Sequence, residues 1–87
     1  MVKKHHLKIH PEHLAAVNCG AKRAEFRIND RDFAVGDLLS LNGYTKLDHL
    51  EGFTGEHIWV RITHITDLDE WAPGYVMLSI ERGPFKC

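Results

Sequence analysis

The sequence predicts a single α+β domain spanning residues 1–87, a small mixed β-barrel of five to six strands with one N-terminal helix packed on it. The chain has 87 residues, which suits one domain. Helical signals are confined to one short segment near the N-terminus, whereas most of the remaining chain alternates apolar and polar residues. Turn-forming residues separate these alternating segments. One helix followed by short strands is typical of a small barrel.

The first two elements are a strand over residues 5–9 and a helix of about ten residues. The strand is predicted by apolar residues at every second position. Pro11 and Glu12 are residues that favour a helix start, and Gly20 is a natural helix terminator. The helix side that faces the core is expected to carry Leu14, Val17 and Ala21.

A strand with two different faces follows the helix. In residues 24–28, Glu25 and Arg27 share one face, and Phe26 and Ile28 share the other. A turn at residues 29–32 ends this strand.

The rest of the chain is predicted to consist of three strands and their connections. The strands are expected at residues 38–41, 58–65 and 75–81. Asn42 and Gly43 predict a hairpin turn. Gly52 and Gly55 predict a loop over residues 50–56, and a second turn is expected at 67–74.

The composition excludes several protein classes. With 26% charged and 44% hydrophobic residues, the chain is neither disordered nor collagen-like. No apolar run approaches the roughly 18 residues of a transmembrane helix, and no apolar signal core follows the N-terminus. Cys19 and Cys87 form no disulfide framework. We therefore expect a cytoplasmic protein without a membrane partner, and the oligomeric state stays open.

The charge is unevenly distributed along the chain. The net charge of −1 argues against coating of long nucleic acids by bulk electrostatics. Residues 1–31 nevertheless carry +4 (seven basic and three acidic residues), whereas residues 32–87 carry −5 (four basic and nine acidic). This imbalance indicates a small anion-binding site built from the first third of the chain.

The most informative motif is Gly20-x-Lys22-x-x-Glu25-x-Arg27. Glu25 and Arg27 are two residues apart on one strand, so their side chains are neighbours, and Lys22 lies just past the helix end. One acceptor and two donors suit a polar, partly anionic ligand such as a nucleotide. The alternative is a surface salt-bridge network that joins the helix to the strand.

This motif matches the GxKxxExR hallmark of the ASCH family, named for activating signal cointegrator homology. The chain also resembles a small bacterial and phage branch of that family in three flanking blocks, His5-x-Leu7-Lys8-x-x-Pro11-Glu12, Asn29-Asp30-Arg31-Asp32-Phe33-x-Val35-Gly36-Asp37-x-Leu39 and Gly74-Tyr75-Val76-x-Leu78-Ser79-Ile80. The resemblance implies a PUA-like barrel, a fold that many RNA-binding modules share.

The resemblance also implies a ligand cleft between the helix and the barrel, lined by Lys22, Glu25 and Arg27. It makes Arg31 a further ligand candidate. His5 matches a histidine of the family pattern, and its place on the inward face of the first strand puts it at the border of the cleft. The implied function is binding of RNA, a nucleoside or a nucleotide.

Two alternative functions stay open. Some small ASCH proteins are amidohydrolases acting on N4-acetylated cytidine, with the hallmark lysine, a threonine and a distant glutamate. Here Lys22 matches, Glu25 stands at the threonine position, and Glu56 and Glu70 are candidates for the distant glutamate. Lys22 and Glu25 would then be catalytic, as base and proton carrier. The other alternative is a protein-interaction module whose charges are structural.

Histidines and tryptophans offer further candidate ligands. Four of the seven histidines lie near the N-terminus, His5, His6, His10 and His13. Their spacings match no standard metal-ligand pattern, so neither a metal nor another cofactor is expected. Trp59 and Trp71 could stack on a base or pack at the core or its edge.

Overall fold

The computed structural model describes residues 2–47 and 50–83, and for residues 47, 50 and 51 it describes the backbone only. It contains five strands and one helix, which confirms the predicted α+β class. The elements are β1 (Lys4–Ile9), α1 (Pro11–Asn18), β2 (Ala24–Ile28), β3 (Leu38–Leu47), β4 (Leu50–Asp67) and β5 (Tyr75–Arg82). Cys87 lies outside the described residues. Within them, no helix has the length and apolar character needed to cross a membrane.

The five strands form one mixed sheet in the order β1-β3-β4-β5-β2. β1 runs parallel to β3, and the other neighbours are antiparallel. The sheet curls into a half-barrel, since Arg27 on β2 donates a hydrogen bond to the Lys8 carbonyl on β1 at the opposite edge. The concave side holds the core of Leu7, Ile9, Leu14, Val17, Phe33, Leu39, Leu41, Val60, Ile62, Val76, Leu78 and Ile80.

The helix is shorter than the sequence predicts. It begins at Pro11, after His10 in extended conformation, and has eight residues. Leu14 and Val17 are buried in the core, as expected from their spacing, whereas Ala21 lies beyond the helix and is exposed. The prediction for Ala21 is therefore wrong, because the helix ends before that residue could join its apolar side.

The predicted hairpin turn at Asn42 and Gly43 and the predicted loop over residues 50–56 are also wrong. Both segments belong to the long strands β3 and β4. The strand register shifts between Asn42 and Tyr44, as in a β-bulge. Glycine is common at bulges as well as at turns, so the same residue types predict both features.

Gly43 is required by close packing between β3, β4 and the helix. A Cβ at this position would lie 2.5 Å from Thr54 Oγ1 and 3.2 Å from Leu14 Cδ2. We expect Gly43→Ala to lower the free energy of unfolding by about 1–3 kcal/mol, as overpacking does elsewhere. Urea unfolding measures the effect. In a Thr54→Ala background, which lacks the hydroxyl, the cost should fall; an equal cost in both backgrounds would contradict this explanation.

Candidate functional site

Glu25 is the centre of the motif identified in the sequence. Its carboxylate is buried, with Oε1 2.9 Å from Lys22 Nζ and Oε2 2.8 Å from Arg27 Nε. Lys22 also donates to the carbonyl of Ala24. The proximity of Glu25 and Arg27 follows from their two-residue spacing on β2, and Lys22 reaches them because the chain turns into β2 after the helix.

The charged face of β2 points inward, and its apolar face points outward. Glu25 is 5% exposed, whereas Phe26 and Ile28 are 50% and 53% exposed. The inward carboxylate is tolerated because both of its oxygens accept hydrogen bonds from cations. On the outside, Phe26 stacks on Tyr75 of β5 with ring centroids 4.8 Å apart.

A cleft of about 480 Å³ lies beside this charged triad. Its walls come from the end of β1, the start of α1, β2 and β3. The lining residues are Lys8, Ile9, His10, His13, Lys22, Glu25, Phe26, Arg27 and Tyr44. The structure therefore brings three of the five predicted ligand residues, Lys22, Glu25 and Arg27, to one cleft.

Five polar or aromatic residues of the cleft were not identified as ligands from the sequence: Lys8, His10, His13, Phe26 and Tyr44. Lys8 Nζ lies 4.4 Å from the centroid of the Tyr44 ring, a cation–π distance. The rings of His10 and His13 are 5.8 Å apart. The three-residue spacing of these histidines at a helix start was the available signal. Lys8 and Tyr44 gave none, because only the sheet pairing brings them together.

Arg27 also joins the two edges of the half-barrel. Its Nε donates to Glu25, and its Nη2 donates to the carbonyl of Lys8. Arg31 acts similarly one step along β1, where its Nη1 lies 3.3 Å from the carbonyl oxygen of His6. Arg31 lines a neighbouring depression rather than the cleft. These arginines supply donors to edge carbonyls of β1 that have no strand beside them.

Residues 4–80 match the family described as a domain of unknown function, DUF3850. The chain belongs to the DUF3850 family. A protein of Escherichia phage P2, named an uncharacterized 12.9 kDa protein in the GpA 3′ region, is 42% identical over 79 residues. That similarity covers 90% of this chain and 68% of the phage protein. The matched range of the DUF3850 domain contains every residue that lines the cleft.

His5 lies in the interior of the DUF3850 domain and does not line the cleft. Its Nε2 is 2.9 Å from Asp37 Oδ2, and its ring contacts Phe33 at a centroid distance of 4.9 Å. Asp37 also accepts hydrogen bonds from the backbone N–H groups of Lys3 and Ala34. Burial alone would raise the pKa of Asp37, but the hydrogen bonds from His5, Lys3 and Ala34 outweigh burial and hold this pKa below its ordinary value.

The remaining candidates lie away from the cleft of the DUF3850 domain. Trp59 contacts His6 edge-to-face at 5.7 Å, and Trp71 is 74% exposed on the turn before β5. Glu56 lines a different depression, and Glu70 lies on the same turn as Trp71. Among residues 2–47 and 50–83, no group of three or more histidine, cysteine, aspartate or glutamate residues is arranged to hold a metal ion.

Proposed function

We propose that this domain is an ASCH-like, PUA-like module that binds a nucleotide unit, free or within RNA, in the cleft beside Glu25. The observation that carries the proposal is the convergence of Lys8, Lys22 and Arg27 on one cleft around a single carboxylate. His10 and His13 add two imidazoles to the same wall. The excess of positive charge in the cleft suits a phosphate. Because the cations are concentrated at this one site, a chain of net charge −1 can still bind an anion there.

The cleft has the size and mixed character of a small-ligand site. Its volume of about 480 Å³ lies within the range of roughly 300–1,000 Å³ common for such sites. Phe26 and Tyr44 provide aromatic surface for a base, while the cations provide contacts for phosphate. This combination supports a nucleotide more than a purely apolar ligand.

The contacts of Glu25 define its role in the proposal. Both carboxylate oxygens already accept from Lys22 and Arg27. Glu25 therefore positions the two cations, which leaves their remaining N–H groups to meet the ligand. Among the described residues, no hydrogen bond or ion pair joins Lys8, His10 or His13 to a carboxylate. These three side chains therefore form the phosphate-facing side of the cleft.

The resemblance to the ASCH hallmark supports the same cleft, since Lys22, Glu25 and Arg27 are its matched residues. The amidohydrolase alternative has less support from the geometry. Glu25 stands where the hydrolases carry a threonine, and the described residues lining the cleft include no serine, threonine or cysteine. We therefore do not propose hydrolase activity, and the experiment below includes a substrate that would detect it.

The test compares binding and turnover in wild type, Lys22→Ala and Lys8→Ala. The probes are the four ribonucleoside 5′-monophosphates, a short single-stranded RNA and N4-acetylcytidine. We expect titration calorimetry to show binding of at least one monophosphate, weakened about tenfold in each variant, because a hydrogen bond to a charged group contributes roughly 1.5–3 kcal/mol. Affinity should also fall with added salt.

Arg82→Ala is the charge-matched control, since Arg82 is exposed at the end of β5 and does not line the cleft. It should bind like wild type. Equal affinity of wild type and Lys22→Ala for every probe, or no binding by wild type, would overturn the proposal. Turnover of N4-acetylcytidine that is lost in Lys22→Ala would replace it with the amidohydrolase.

A further inference from the structure

A second surface of the molecule combines basic and aromatic side chains on the convex side of the sheet. Strand pairing places His6 beside Ser40 and Ser40 beside Trp59, in one row across β1, β3 and β4. Two further rows on the same side begin at Lys4 and Lys8 of β1. Beyond the Lys8 row, Tyr44 of β3 is paired with Phe53 of β4. We call this the outer sheet face: Lys4, His6, Lys8, Tyr44, Phe53 and Trp59.

The outer sheet face carries two separate aromatic positions. Tyr44 and Phe53 meet edge-to-face with centroids 5.2 Å apart, and Phe53 is 64% exposed. His6 and Trp59 form the other position, 5.7 Å apart. Tyr44 lies four positions after Ser40 along β3, so the two aromatic positions lie roughly 13 Å apart at about 3.3 Å per residue. One mononucleotide base cannot contact both, whereas a strand with bases stacked about 3.4 Å apart can.

The charges of this face favour a polyanion. Lys4, His6 and Lys8 are exposed at alternate positions of β1, about 6.6 Å apart along the strand. Arg31 lies beside the row, with its guanidinium at the carbonyl of His6, and its charge is partly offset by Asp30, whose Oδ1 is 3.7 Å from Arg31 Nε. Arg61, in the row that begins at Lys4, is paired with Glu81 of β5. The described side chains that β1, β3 and β4 contribute to these rows include no carboxylate, so none of them offsets the charge of the basic residues on β1.

The outer sheet face is continuous with the cleft. Lys8 and Tyr44 belong to both, because Lys8 lies over the Tyr44 ring at the boundary between them. A ligand that follows the basic row of β1 toward its C-terminal end therefore arrives at the cleft mouth.

We propose that a single-stranded nucleic acid lies across the outer sheet face, with bases on Phe53 and Trp59, and places one nucleotide in the cleft. The proposal rests on the proposed function of the cleft and specifies its substrate as a single strand. A duplex keeps its base faces stacked inside and offers none to exposed aromatic rings. Phosphates of the strand would meet Lys4 and Lys8, and stacking on aromatic rings would tolerate different base sequences.

The test uses an eight-nucleotide strand as RNA and as DNA, the corresponding duplexes, and the monophosphate that binds the cleft. Fluorescence anisotropy should show the single strand binding at least ten times more tightly than the monophosphate and more tightly than the duplexes. The RNA and DNA arms determine which sugar the site prefers. Phe53→Ala should weaken binding of the strand about fivefold or more, the lower bound for one stacked base, and leave monophosphate binding unchanged.

Two controls make the test specific. Trp71→Ala removes another exposed aromatic side chain, on the turn before β5, and should leave strand binding unchanged. The chain has two tryptophans, so Trp59 is the one that remains in the Trp71→Phe variant. The fluorescence of Trp59 should be quenched by the strand and not by the monophosphate.

The proposal is overturned if the strand binds no more tightly than the monophosphate, if duplexes bind equally well, or if Phe53→Ala and Trp71→Ala have the same effect. In each of these outcomes monophosphate binding still supports the cleft. Absence of monophosphate binding together with tight strand binding would instead remove the proposed function of the cleft and leave the outer sheet face as the binding surface.

Discussion

Replacing Asp37 with alanine is expected to lower the free energy of unfolding by about 3 kcal/mol, because it removes the shared acceptor of several buried donors and each buried polar group left unsatisfied costs roughly 1–3 kcal/mol. Asp37 is 3% exposed and accepts from His5 Nε2 at 2.9 Å. It also accepts from the N–H groups of Lys3 and Ala34 at 3.2 and 3.1 Å. Alanine would leave the buried imidazole and both amides without this acceptor. Urea unfolding followed by far-ultraviolet circular dichroism measures the loss.

The pH dependence of this contribution has a definite sign. The pKa of Asp37 lies below its ordinary value in the folded state, so ionisation of Asp37 favours folding. Its contribution is complete above the unfolded-state value of about 3.9 and is lost as pH falls through the lower folded-state pKa. The difference in unfolding free energy between wild type and Asp37→Asn should therefore be smaller at pH 3 than at pH 6.

Asp32→Asn is the matched control for Asp37. Asp32 lies five residues earlier, its side chain is fully exposed, and asparagine tolerates its positive φ of 50°. This variant should unfold at the same urea concentration as wild type. If Asp37→Ala were as stable as the control, the buried pair with His5 would contribute nothing to stability.

Removing Glu25 is expected to have the second-largest effect, about 2 kcal/mol in Glu25→Ala. The buried carboxylate separates the Lys22 ammonium from the Arg27 guanidinium, and its loss leaves two like charges on one wall of the cleft. This expected loss of unfolding free energy is smaller than the loss for a fully buried ion pair. The side chains of Lys22 and Arg27 are 27% and 25% exposed, so water screens their charges.

A double-mutant cycle isolates the interaction of Glu25 with Lys22. If the two side chains interact, Lys22→Met should cost less in the Glu25→Gln background than in wild type, and equal costs would show that they are uncoupled. Glu70→Gln, an exposed acid on the turn before β5, controls for the change in net charge. Monophosphate binding measured on the same variants separates loss of stability from loss of cation positioning.

The elements with strong local patterns were predictable from the sequence. Val76, Leu78 and Ile80 alternate along β5 and are buried, as are Val60 and Ile62 along β4. The short helix was predictable from its proline start and glycine end. In these segments, local preference and tertiary packing agree, so a period of two or of 3.6 residues was sufficient.

The incorrect predictions concern residue types that are common in more than one kind of local structure. Asn42 and Gly43 are typical of a tight turn, yet the chain continues as β3 and bulges there. Gly43 is needed because Thr54 and Leu14 approach its backbone from β4 and the helix. That approach depends on residues 11 and 29 positions away in sequence, which no local pattern contains.

Local spacing was enough to predict the α+β class, the strand faces and the neighbourhood of Lys22, Glu25 and Arg27, because each depends on residues within one element or across one joint. Three further features follow from the folded sheet alone. β1 and β2 become its opposite edges and are joined by arginines, His5 pairs with Asp37 inside the domain, and Lys8 and Tyr44 meet beside the charged triad. These outcomes depend on the order and curl of the strands. Side chains far apart in sequence meet only when the sheet is assembled.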